Sequence, residues 1–105
     1  MSENLLNLVN IIRERKNKDK DKSYTSSLLS GGLSKCIDKM EEEFGELKEA
    51  LNDKSNEVHE AADTIYHILV TLEAANIKFE DVLQELERSE EHTSELQSRL
   101  HLVCR

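Results

Sequence analysis

The segment EEEFGELKEA, Glu41 to Ala50, places five glutamates in ten residues around Phe44, Gly45 and Leu47. On a helix turning about 100° per residue, Glu43 and Glu46 flank an apolar line of Met40, Phe44 and Leu47, and Glu42 lies one turn before Glu46. Further along, Glu60, Asp63 and His67 recur at i, i+3 and i+7, again one helical face and too polar for a core. Taken one helix at a time, both sets read as ordinary solvated faces, since glutamate is a good helix former and charges belong outside. Two features point to chemistry instead. No lysine is interleaved among Glu42, Glu43 and Glu46, so like charges one turn apart repel without local relief. If the two helices pair antiparallel across LNDKSN, Glu43 and Glu46 face Glu60 and Asp63 in a four-carboxylate cluster. Two such charges about 4 Å apart repel by roughly 4 kcal/mol at an effective dielectric of 20, so the cluster calls for a cation or shared protons. Mg²⁺ suits it, a hard ion that takes a few carboxylates together with waters and substrate phosphates. Zinc held by His59 or His67 is the lesser alternative, because no second histidine sits at ligand spacing and both cysteines are distant.

The elements that must position these residues are helical. The chain has no proline, three glycines and 4% aromatic residues, which favours helix over sheet, and the expected fold class is all-α. Leu5, Leu8, Val9 and Ile12 predict an amphipathic helix over residues 3–16. KNKDKDK, Lys16 to Lys22, alternates charge without an apolar residue and reads as a solvated loop. SYTSSLLSGGLSK then predicts a short helical turn, with Ser23, Thr25 and Ser30 as candidate caps, and a hinge at Gly31 and Gly32. Leu33, Ile37, Met40, Phe44, Leu47 and Leu51 define one stripe of a long helix, expected to be its core face. After a break with Asp53 and Ser55 as candidate caps, Val58, Ala61, Ala62, Ile65, Ile68, Leu69 and Leu72 mark a second long helix ending near Asn76. EDVLQELER makes a final short helix whose first turn is acidic, as the helix dipole prefers. Two long antiparallel helices with shorter flanking ones make a helical-bundle subunit.

At 105 residues this is one small domain, too small to bury most of its apolar surface alone, so completion by dimerisation is expected. A formal charge of −8 argues against binding nucleic acid or an anionic membrane. Cys36 and Cys104 fit no metal or disulfide framework, and the apolar stretch near the amino terminus is too short and interrupted for a membrane span. The expected location is the cytoplasm.

The carboxylates resemble the E-E-x-x-E then E-x-x-D signature of the all-α nucleotide pyrophosphatases, here Glu42, Glu43 and Glu46, then Glu60 and Asp63. The SYT, LL, GL and K spacing upstream and EAADTIYHILV downstream are similar to the phosphoribosyl-ATP pyrophosphatases over essentially residues 5–88. A MazG-type nucleoside triphosphate pyrophosphatase shares the carboxylates but is not expected to carry the SYT segment; a non-catalytic helical interaction module is the alternative from another class. Glu41 and Gly31 stand where the family more often has glycine and lysine. The resemblance implies hydrolysis of phosphoribosyl-ATP to phosphoribosyl-AMP and pyrophosphate with Mg²⁺. It assigns Glu43, Glu46, Glu60 and Asp63 as metal ligands and Glu42 as the water-orienting base, the exchange of Glu42 with Glu43 being the nearest alternative. Lys35 and Lys39 would hold substrate phosphates, Tyr24 would stack on or hydrogen-bond the nucleotide, and Arg13, Arg15 and the loop lysines would close over the polyphosphate. His67 is read as a packing residue or a support behind the ligands, not a ligand itself, and Cys36 as a small apolar residue.

After ELER the string RSEEHTSELQS, Arg88 to Ser98, resembles the in-frame translation of a DNA-sequencing adapter. The domain is therefore assigned to residues 1–88, with 89–105 a tail expected to be read-through.

Overall fold

A computed structural model describes residues 2–16 and 23–91. Five helices follow in order: α1 (Ser2–Arg15), α2 (Tyr24–Ser30), α3 (Leu33–Asp53), α4 (Glu57–Ala74) and α5 (Phe79–Glu91). Among the described residues there is no strand, and no helix is long and apolar enough to cross a membrane. Of the expected loop, Lys16 to Lys22, residues 17–22 lie outside the described residues, as does the expected tail, 89–105, from residue 92 onward. Ser23 caps α2 as its sequence predicts, its hydroxyl accepting from the Ser26 N–H at 3.0 Å. Gly32, at φ 91°, then turns the chain into α3 through a backbone region that side chains disfavour.

The long helices α3 and α4 form an antiparallel pair joined by three residues, and this turn departs from expectation. Asp53 is the last residue of α3, and neither it nor Ser55 caps a helix by its side chain. Lys54 and Asn56 instead take left-handed backbone at φ 58° and 57°. The N–H groups of Lys54 and Ser55 both close onto the Ala50 carbonyl, so main chain alone satisfies the end of α3.

The seam between the pair is also not the one expected. Leu33, Ile37, Phe44 and Leu51 are exposed, as are Val58 and Ile65 on α4, while the buried α3 residues are Cys36, Glu43 and Ala50. Two threonines explain this orientation. Thr64 donates its hydroxyl to the carbonyls of Glu43 at 3.2 Å and Glu60 at 2.7 Å, and Thr71 to those of Cys36 at 3.2 Å and His67 at 2.7 Å. The small Cys36 and Ala50 let the backbones approach closely enough for these bonds. Of the α4 face that looked too polar for a core, Glu60 and Asp63 are only part-buried and His67 alone is buried, while Thr64 and Thr71 beside it are buried as well.

The apolar core gathers at the other end of α4, where Leu69 and Val70 meet Val9 and Ile12 of α1, Leu28 of α2, Cys36 of α3 and Phe79 of α5. Arg13 ties α1 to the α4–α5 corner by bonding both Glu80, at 3.0 Å, and Glu73, at 3.5 Å. The hydrogen bond from Arg13 holds the Glu80 carboxyl down at about 2.

Lys54 carries left-handed backbone without the glycine that tolerates it. Lys54→Gly is expected to stabilise the fold by about 0.5–1 kcal/mol, read as a higher midpoint in urea unfolding; an unchanged or lower midpoint contradicts this account of the turn.

Candidate active site

Glu43 enters the α3–α4 seam at 6% exposure, fixed at its backbone by the Thr64 hydroxyl. One turn on, Glu46 reaches the same place from α3, and Glu60 reaches it from α4. Carboxylate oxygens of Glu43, Glu46 and Glu60 all lie within 4.8 Å of one another. A second group shares Glu60: His59, Glu60 and Asp63 converge within the same limit, with His59 Nε2 3.8 Å from both carboxylates. Asp63 is thus joined to the first three through Glu60, and its charge is felt at Glu43. Burial foremost, then the hydrogen bond with Glu46 and the charges of Glu46 and Asp63, push the Glu43 carboxyl above the ordinary carboxylate range.

The oxygens of this cluster lie close enough together to share one cation. Glu43 Oε2 is buried without a hydrogen-bond partner, a state that costs free energy unless something positive or protonated meets it. The convergent donors are carboxylate oxygens, which suits a hard divalent ion such as Mg²⁺. Among the described residues His59 is the histidine grouped with these carboxylates, and it is mostly exposed, so the zinc alternative gains a single histidine.

Glu42 stands outside this set. Its carboxylate faces solvent and accepts a hydrogen bond from Lys39 Nζ at 3.2 Å. Tyr24, at the start of α2, comes to the same edge, close enough for Lys39, Glu43, Asp63 and Glu42 all to act on its phenol. Burial is the largest cause of that phenol's raised pKa. Its hydroxyl lies 2.9 Å from His67 Nε2, while His67 Nδ1 lies 2.7 Å from the Asp63 carbonyl. A carbonyl only accepts, so Nδ1 of the neutral ring donates to it and Nε2 accepts from Tyr24. His67 is packed edge-on between Tyr24 and Tyr66, in keeping with its reading as a packing residue.

Lys35 and Arg15 are located by other contacts. The Lys35 stem crosses Gly31, where an added Cβ would collide with Lys35 Cδ. Arg15 borders Tyr66 and gives its carbonyl to the Ser26 hydroxyl. One residue of the site was not anticipated, Thr64, whose only sequence signal is its seven-residue spacing from Thr71; His59, weighed only as a zinc ligand, lies one turn before Asp63.

The sequence model of the family described as Phosphoribosyl-ATP pyrophosphohydrolase matches residues 5–90, a span that holds every residue of this cluster. The chain belongs to that family. The phosphoribosyl-ATP pyrophosphatase of Rhizobium etli (strain CIAT 652) is 41% identical over 86 residues, covering 80% of this chain and 80% of the relative. That of Clostridium acetobutylicum is 40% identical over 92 residues, covering 86% and 84%. The histidine biosynthesis bifunctional protein HisIE of Helicobacter hepaticus (strain ATCC 51449 / 3B1) is 46% identical over 83 residues, covering 77% of this chain and 36% of that longer protein.

The raised Glu43 carboxyl has a consequence for the metal-free protein. The folded state binds its proton more tightly than the unfolded chain, so stability falls as pH rises from the ordinary carboxylate range through the raised value. In chelator, thermal melts from about pH 4 to about pH 8 are expected to show a steeper fall for the wild type than for Glu43→Gln. Parallel curves would remove Glu43 as the titrating group.

Proposed function

We propose that this chain hydrolyses phosphoribosyl-ATP to phosphoribosyl-AMP and pyrophosphate, the second step of histidine biosynthesis, as an Mg²⁺-dependent cytoplasmic homodimer. The observation that carries the reading is the buried, unpartnered Glu43 Oε2 among convergent carboxylates of a chain in the phosphoribosyl-ATP pyrophosphohydrolase family.

Glu43, Glu46, Glu60 and Asp63 are the residues that would hold the ion. When bound, Mg²⁺ supplies charge neutralisation at the substrate's phosphate oxygens and at the leaving pyrophosphate. The rest falls to the side chains. Glu42, adjacent in sequence but outside the cluster, takes the proton as the water O–H bond breaks and a new P–O bond forms. The electron pair of the severed α–β anhydride bond leaves with pyrophosphate. Lys39, paired with Glu42 before substrate arrives, offers its ammonium to the polyphosphate. Tyr24, half exposed with its hydroxyl tied to His67, presents its ring to the nucleotide. Lys35 and Arg15 would meet substrate phosphate at the periphery.

The outward stripe supports self-association. Leu33, Ile37, Phe44 and Leu51 line α3, and Ile65 and Val58 lie exposed on its partner helix, an apolar surface that a second copy would cover. Light scattering on eluting protein is expected to give a dimer mass, and Phe44→Glu a monomer; a wild-type monomer overturns that part of the reading.

Pyrophosphate release separates the enzymatic readings. Phosphoribosyl-ATP is expected to be cleaved, and dUTP and dCTP not. Glu46→Gln and Glu60→Gln are expected to lose at least about 100-fold, beyond what loss of an outer-shell partner costs, and Glu42→Gln about 10²–10⁴-fold in kcat. Full activity in Glu46→Gln sinks the assignment. Turnover of dUTP or dCTP instead favours a MazG-type activity, and no metal-dependent turnover of any nucleotide leaves an interaction module.

A further inference from the structure

Thr64 is 3% exposed at the centre of the α3–α4 seam, and its hydroxyl has one proton to share between two carbonyls. Those carbonyls belong to Glu43 on α3 and Glu60 on α4, two residues whose carboxylates converge on the cluster from opposite helices. Glu60 precedes Thr64 by one turn, so that bond is the back-bond available to any helical threonine. The bond to Glu43 is different, because it crosses between helices and fixes the height of one carboxylate-bearing backbone against the other.

We infer that Thr64 is a positioning residue for the cation site, setting the distance between the Glu43 and Glu60 carboxylates through their main chains. The inference rests on the cation-dependent reading above. A carboxylate cluster binds a small octahedral ion well only when its oxygens are held near the required spacing, and groups that hold ligands in place govern affinity almost as strongly as the ligands. Glu43 carries this burden most, since its Oε2 is buried and unpartnered and cannot adjust by reaching into solvent.

Thr71 serves as an internal control. Its hydroxyl bonds repeat those of Thr64 at the same distances, 3.2 Å across the seam and 2.7 Å within α4, but onto Cys36 and His67. Both threonines are buried. A role limited to helix packing would make them equivalent; a positioning role makes Thr64 alone matter to the ion.

The experiment titrates Mn²⁺ into the full chain and reads free Mn²⁺ by its electron paramagnetic resonance signal, with no nucleotide present. Helical content by circular dichroism accompanies every variant. Thr64→Val is expected to weaken Mn²⁺ binding about tenfold, Thr64→Ser to restore it to within about twofold of wild type, and Thr71→Val to leave it unchanged. Should Thr64→Val not fold, Thr64→Ala is expected to show the same loss. Equal affinity in wild type and Thr64→Val, an equal loss in Thr71→Val, or failure of Thr64→Ser to restore binding overturns the inference while leaving the cation site standing. No Mn²⁺ binding by the wild type, or binding untouched by Glu43→Gln, overturns the cation site itself.

Discussion

Glu43 occupies a helix–helix seam where a small helical protein ordinarily places an apolar side chain. Burying a carboxylate there carries a desolvation cost of several kcal/mol unless charge or hydrogen bonds compensate it. Its Oε2 has no hydrogen-bond partner, and the carboxyl it hydrogen-bonds, that of Glu46, is itself a like charge unless a proton is shared. The rest of the structure is arranged around this liability. Cys36 and Ala50, seven residues to either side, keep α3 close to α4, and Thr64 pins the Glu43 main chain so that the side chain cannot withdraw toward solvent. In the proposed cation-dependent enzyme, a site held in this way trades stability of the free protein for preorganisation, a common division between function and stability.

The helices themselves were legible from residue spacing. Five helices at nearly the expected positions follow from the absence of proline, the scarcity of glycine and the three- and four-residue recurrence of Leu, Ile and Val. The convergence of Glu43 and Glu46 with Glu60 was legible too, because an antiparallel pair across a short turn leaves few registers. What hydrophobic periodicity could not reveal was which face of α3 meets α4. The stripe through Leu33, Ile37, Phe44 and Leu51 is the most apolar line on that helix, yet it points away from the partner helix. Periodicity identifies a face that seeks cover; it does not say whether the cover lies within the same chain.

The turn shows the same limit at a smaller scale. Asp53 and Ser55 have the chemistry of capping residues, but Asp53 falls inside α3 and the position that caps α4 is Asn56, whose left-handed backbone is not the extended conformation from which a side chain reaches the first N–H groups. Thr64 and Thr71 are similarly silent in the sequence. Threonine in mid-helix most often bonds its own preceding turn, and only the interhelical carbonyl at 3.2 Å distinguishes these two.

These two misreadings share one cause. Because the α3 face toward α4 is spent on a carboxylate, small residues and carbonyl-directed hydroxyls, it contributes little hydrophobic stabilisation, and the apolar core retreats to the end of α4 where α1, α2 and α5 gather. The half of the pair nearest the turn buries a carboxylate and a threonine hydroxyl and leaves several large apolar side chains outside. Such a hairpin is poorly stabilised alone, since its exposed Phe44, Leu51, Val58 and Ile65 gain nothing until covered. Cover from a second copy would therefore rigidify the two helices that carry the ligands, so that in the proposed dimer association and site geometry are one problem. The exposed stripe on the outside of α3 and the buried glutamate on its inside are then two solutions to a single constraint: one helix must hold charge inward and still find enough apolar contact to stay in place.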